Sequence, residues 1–91
     1  MYFNVTEAHY LEEYKLQLHF EDGWGGIADL SSYPDPTNVF KAFLDLVYFK
    51  DFKIEYGTLI WGNGEVDIAP ETLYSLATGK PITYTALQTN A

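Results

Sequence analysis

Leu16-Gln-Leu-His-Phe-Glu-Asp-Gly23 decides the reading of this chain. From Tyr14 to Phe20 the apolar residues Tyr14, Leu16, Leu18 and Phe20 alternate with Lys15, Gln17 and His19. A period of two puts the first set on one face and the second on the other, which is a half-buried strand. Asp22-Gly23 closes it as a hairpin turn, because glycine accepts a positive φ without steric cost. Working outward, Phe3–Leu11 reads as a preceding strand and Trp24–Leu30 as a returning one. The Gly25-Gly26 pair in the latter marks a bulge or a close backbone approach.

Ser31 to Pro36 is a loop, since Pro34 and Pro36 lack the backbone donors that a sheet needs. Thr37 or Asn38 then offers an oxygen to cap a helix, and Val39, Phe40, Phe43, Leu46 and Val47 recur at helical spacing as one apolar stripe against the sheet. Phe52, Ile54 and Tyr56 alternate as a fourth strand, and Thr58–Trp61 forms a fifth. Asn63-Gly64 is a further turn. Pro70 suits the first position of a helix, Glu71 its positive end and Gly79 its termination. The pattern predicts an α+β domain over residues 1–79, a mostly antiparallel sheet of about five strands with two helices in the order βββαββα. Residues 80–91 form a tail with strand character at Ile82, Tyr84 and Ala86, suited to an edge strand or to disorder.

The balance of charge limits function. Across 91 residues, 13 acids face five lysines and no arginine, a net charge of −8. Nucleic-acid binding draws its affinity from cations that neutralise phosphates, so direct contact with DNA or RNA is not expected. Such acidity serves solubility or speeds encounter with a basic protein. The chain has no cysteine, which removes disulfides and thiolate chemistry and suits a reducing cytoplasm. No apolar run approaches the length that spans a bilayer, and Met1-Tyr-Phe-Asn-Val-Thr6 does not read as a signal peptide.

Catalytic machinery is hard to assemble from what remains. Ser31, Ser32 and Ser75 lack a nucleophile-elbow setting, and His9 and His19 lack the paired spacing of metal ligands. Gly23-Trp-Gly-Gly26 and Gly62-Asn-Gly64 do not have phosphate-loop spacing and read as turn glycines. No catalytic residue, cofactor or metal ligand is assigned, and the chain is not expected to be an enzyme. The alternative of a small-molecule or metal site rests on Asp22, Asp29 and Asp67 converging near the turns.

The ordered motifs carry a resemblance. Leu16-x-Leu-x-Phe20-x-Asp-Gly23, the Asp29-Leu30 pair, the Val39-Phe40 helix start, the Phe49/Phe52 stretch and Trp61-x-Asn-Gly64-x-x-Asp67-Ile-Ala-Pro70-x-x-Leu-Tyr74 together resemble the bacterial domain of unknown function 2442 family, over everything before the tail. The resemblance implies an α+β fold and a bacterial cytoplasmic setting. Some relatives carry a helix-turn-helix domain downstream, for which this chain is too short, and some sit beside small toxin-like genes.

The expectation is therefore a small acidic protein-interaction module, antitoxin-like or regulatory, masking a basic partner. Trp24, Tyr33, Trp61 and Tyr74 would supply apolar anchors, and Asp29, Asp67 and Glu71 the charge. Both tryptophans adjoin turns and are expected at the same end of the sheet. A second expectation is a self-assembling module in which the tail pairs with the edge of another copy. No membrane contact is expected.

Overall fold

The computed structural model describes residues 3–79. Three strands come first, β1 (Val5–Glu12), β2 (Lys15–Phe20) and β3 (Gly25–Asp29). A 3-10 turn (Lys41–Leu44) and the short helix α1 (Leu46–Lys50) follow, then β4 (Phe52–Glu55), β5 (Thr58–Trp61), β6 (Val66–Ile68) and α2 (Pro70–Thr78). The α+β class is as expected. The single sheet is not: β1-β2-β3 form one antiparallel sheet and β4-β5-β6 another. The additional strand is β6, three residues whose outer members Val66 and Ile68 are buried around an exposed Asp67. The tail from residue 80, and the edge strand expected within it, lie outside the described residues.

The first sheet is built on β2. Its register sets Leu16 between Tyr10 and Ala28, and Leu18 between Ala8 and Gly26. Leu16, Leu18, Phe20, Ala28 and Leu30 are all buried on that face. The outer face carries Glu7, His9, Lys15, Gln17, His19 and Ile27. Helix α2 covers the inner face, contributing Leu73 and Tyr74 to the core. Gly26 permits this, because a Cβ there would collide with the backbone carbonyl of Ala77. The close approach read from Gly25-Gly26 is thus a helix-on-strand contact.

The second sheet turns Leu59, Trp61, Val66 and Ile68 inward. Two irregularities in β1 shift its register against β2 near either end, and such bulges bend a strand. A backbone bond bridges the two sheets, from the amide of Val5 to the carbonyl of Gly57 at 2.8 Å. Their side chains nevertheless share one core, centred on Phe43, Phe49 and Trp61.

The expected helix over Val39–Val47 is also corrected. Asp35 Oδ1 accepts the amide of Thr37 at 2.8 Å, Asn38 Oδ1 that of Phe40 at 2.8 Å, and Asp45 Oδ1 that of Val47 at 3.0 Å. Each such Asx turn offers the backbone a local partner in place of a helical one. Asp45 is extended, with φ −92° and ψ 108°, so the 3-10 turn stops there and α1 restarts. The apolar residues therefore do not form one stripe. Phe40, Phe43 and Phe49 pack inward, while Val39, Leu44, Leu46 and Val47 face out. Helix α2 keeps its expected ends, with Pro70 in the first turn and Gly79 left-handed at φ 75°. Among the described residues no helix is long and apolar enough to cross a membrane.

Candidate interaction surface

Of the residues expected to form one contact surface, Trp24 and Tyr74 meet at Asp22, whereas Trp61 and Asp67 belong to the second sheet. Trp24, at the β2–β3 turn, is half exposed, and its amide is held by Asp22 Oδ1 at 2.9 Å. Trp61 is 0% exposed. Its indole N–H donates to the carbonyl of Phe49 at 2.7 Å, and its ring lies 4.7 Å from that of Phe43. Tyr74 is buried between Phe3 and Phe20, with its hydroxyl donating to Asp22 Oδ2 at 2.7 Å. That bond to a carboxylate holds the phenol pKa above its usual value, helped by burial. Trp61 and Tyr74 are thus internal anchors and offer a partner no surface. The two tryptophans also belong to different sheets, so the expectation that they share an end of one sheet does not hold.

Tyr33 sits half-buried with its ring edge-on to Phe40 at 5.0 Å. Asp29 is exposed at the end of β3, where Oδ1 accepts the amide of Ser31 at 2.9 Å. Its pKa is lowered chiefly by the Ser31 amide and hydroxyl, against an opposing effect of burial, with the least contribution from Lys15. Asp67 is exposed on the outer face of the second sheet, paired across from Ile60. Glu71 lies in the first turn of α2, where the helix dipole favours it. Asp22 precedes β3 and Asp29 ends it, so the strand separates them, and Asp67 is in the other sheet. Among the described residues no three His, Asp or Glu side chains are grouped to hold a metal ion.

The histidines are placed just as far from a reactive arrangement. His9 is exposed with Nε2 3.4 Å from Glu7 Oε1. His19 stands across from Glu7 on the outer face, half-buried, and its Nδ1 has no hydrogen-bond partner among the described residues. No hydrogen bond joins a serine hydroxyl to either histidine among the described residues.

The apolar surface lies elsewhere. Val39 is 72% exposed and Val47 76%, and Leu44 and Leu46 are exposed between them in the chain. Beside Val47 is a shallow depression of about 580 Å³ lined by Asp45, Val47, Tyr48, Lys50 and Asp51. Burial and nearby Glu65 raise the Tyr48 phenol pKa. The Lys50 ammonium rests 5.1 Å from the centre of the Tyr10 ring, which fixes a cation at the rim. The hydroxyl of Tyr14 donates to the carbonyl of Phe43 at 2.7 Å and ties this segment to the β1–β2 turn. Trp24 is at the opposite end of β2, roughly 20 Å away at about 3.4 Å per residue.

The signal for this surface was present in the sequence. Six apolar residues at positions 39, 40, 43, 44, 46 and 47 are more than one helical stripe accommodates, and Asn38 and Asp45 are turn-forming residues.

No curated protein and no solved structure gives a significant match to this chain. A family described as "Protein of unknown function (DUF2442)" matches residues 5–79, from the first residue of β1 to the glycine that ends α2. The matched region contains both sheets, the exposed segment and the helix that covers the core, and the chain belongs to that DUF2442 family.

Proposed function

We propose that this protein is a non-catalytic interaction module that docks a second protein on the outward face of residues 39–47. The observation that carries the reading is the exposure of Val39, Leu44, Leu46 and Val47 on a segment whose aromatic residues are committed to the core. Exposed apolar groups gathered on one chain segment, with charges at the rim, are a feature of contact sites. Asp45, Lys50 and Asp51 supply the rim here. The net charge of −8 would speed encounter with a basic partner. An antitoxin-like or regulatory role, in which docking masks that partner, is the finer form of the proposal.

The test is affinity capture from the host lysate at low salt, with wild-type protein and the double variant Leu44→Ser plus Val47→Asp as baits. Both changes are at exposed positions, so circular dichroism and melting should be unaltered within about 0.5 kcal/mol. A stoichiometric basic protein held by the wild type and released by the variant is the expected result. Equal capture by both baits would remove the surface from the proposal, and recovery of bait alone would remove the partner.

A further inference from the structure

The β4–β5 hairpin contains a residue that neither its turn nor the core accounts for. Tyr56 and Gly57 connect Glu55 to Thr58, with φ 54° and 76°. Two successive positive φ angles form the hairpin turn for which Asn-Gly is the favoured pair. A tyrosine at the first of these positions is sterically disfavoured, and asparagine would serve the backbone better. Tyr56 is also 95% exposed, so its ring adds little to packing. Residues kept in sparsely populated backbone regions concentrate at ligand-binding positions.

What lies beside the ring gives it a use. The outer face of the second sheet holds an open groove of about 450 Å³, lined by Lys53, Glu55, Tyr56, Ile60, Asn63 and Asp67 together with Gly62 and Gly64. Register places Ile60 between Lys53 and Asp67 on adjacent strands, so a half-buried apolar floor separates opposite charges. Among the described residues, Glu55 and Asp67 take part in no ion pair. Against one lysine, the two carboxylates leave the groove one negative charge in excess. An aromatic face next to carboxylates suits a cation, and guanidinium best of all, because it stacks on the ring while its fork of N–H donors meets a carboxylate.

We propose that Tyr56, Glu55, Ile60 and Asp67 form a second recognition site, which takes an arginine side chain from an extended segment of a basic protein. The guanidinium lies on the Tyr56 ring and donates to Glu55 or Asp67, and the neighbouring part of the segment covers Ile60. This site shares no lining residue with the depression beside Val47, and the proposal stands or falls independently of that surface.

The test uses the full chain, ¹⁵N-labelled, titrated at low salt with the blocked peptide Gly-Arg-Gly-Arg-Gly and with a matched peptide carrying glutamate in place of arginine. Saturable amide shifts confined to Lys53–Ile60 and Asp67, seen with the arginine peptide only, are expected. Binding should weaken at least tenfold in Tyr56→Asn and also in Asp67→Asn. Tyr56→Asn should melt at the same or a higher temperature than the wild type, since it suits the turn, and its loss of binding then cannot come from unfolding. The proposal is overturned by the absence of saturable shifts, by undiminished affinity of Tyr56→Asn, or by shifts centred on Asp45 and Val47.

Discussion

Replacing Trp61 by phenylalanine tests the centre of the core most directly. The indole N–H and the Phe49 carbonyl meet at 2.7 Å, and both residues are fully buried. Phenylalanine removes the donor and strands the carbonyl, which costs about 1–3 kcal/mol. The smaller ring also loosens the packing against Phe43 and Phe49. Complete truncation of a buried aromatic costs about 3–5 kcal/mol, so this partial loss adds about 1 kcal/mol. The sum is about 2–4 kcal/mol, out of a total stability of roughly 0.05–0.15 kcal/mol per residue. For a domain of this size each kcal/mol moves the melting temperature by about 4–8 °C, so Trp61→Phe should melt roughly 10–30 °C lower. Trp24→Phe, at a half-exposed position, should stay within about 0.5 kcal/mol. Far-UV circular dichroism during urea denaturation measures both without relying on the altered fluorophore. A cost below about 1 kcal/mol for Trp61→Phe would refute the buried bridge, as would a cost no larger than that of Trp24→Phe.

Three further expectations use the same measurement. Gly26→Ala should cost more than about 2 kcal/mol, because its Cβ meets the Ala77 carbonyl and α2 must move off the sheet. Tyr74 donates to the Asp22 carboxylate, so its phenol pKa is raised from the usual 10.0. Its contribution is complete below that value and falls as pH rises through the folded pKa, because the unfolded chain ionises first; Tyr74→Phe should therefore flatten the alkaline limb of the stability profile. Asp29 and Asp35 have lowered pKa values, the first chiefly from the Ser31 amide and the second from the Thr37 hydroxyl and amide. Their contribution is complete above the usual 3.8 and is lost as pH falls through the folded values; Asp29→Asn plus Asp35→Asn should leave a shallower acid limb.

The regular elements were legible where one physical rule governed them. Period-two alternation located β2 and β4, β5 followed as the next strand, and Pro70 and Gly79 bounded α2. β6 escaped because three residues give too short an alternation to count, and only pairing with β5 makes Val66-Asp67-Ile68 a strand. The division into two sheets leaves no mark in composition or alternation, since every strand pairs only with its neighbours in the chain. Helical spacing misled at residues 39–47, where side-chain oxygens of Asn38 and Asp45 outcompeted the helix. The expected contact residues fared unevenly for a related reason. Tryptophan and tyrosine serve buried cores and open surfaces alike, and Trp61 and Tyr74 found internal acceptors for their polar tips while Trp24 stayed half exposed.

The sparse backbone link between the sheets bears on how the chain folds. Each sheet is a meander closed by local turns, so its strands can find one another early, at small cost in loop-closure entropy. Helix α2 must return across the sequence to β2, β3 and β5, and β1 must meet β4. The arrival of α2 is expected to be a late, cooperative step. Mutations along Leu73 and Tyr74 will accelerate unfolding far more than they slow folding, and amide exchange in the two meanders will be gated by the same opening of that helix.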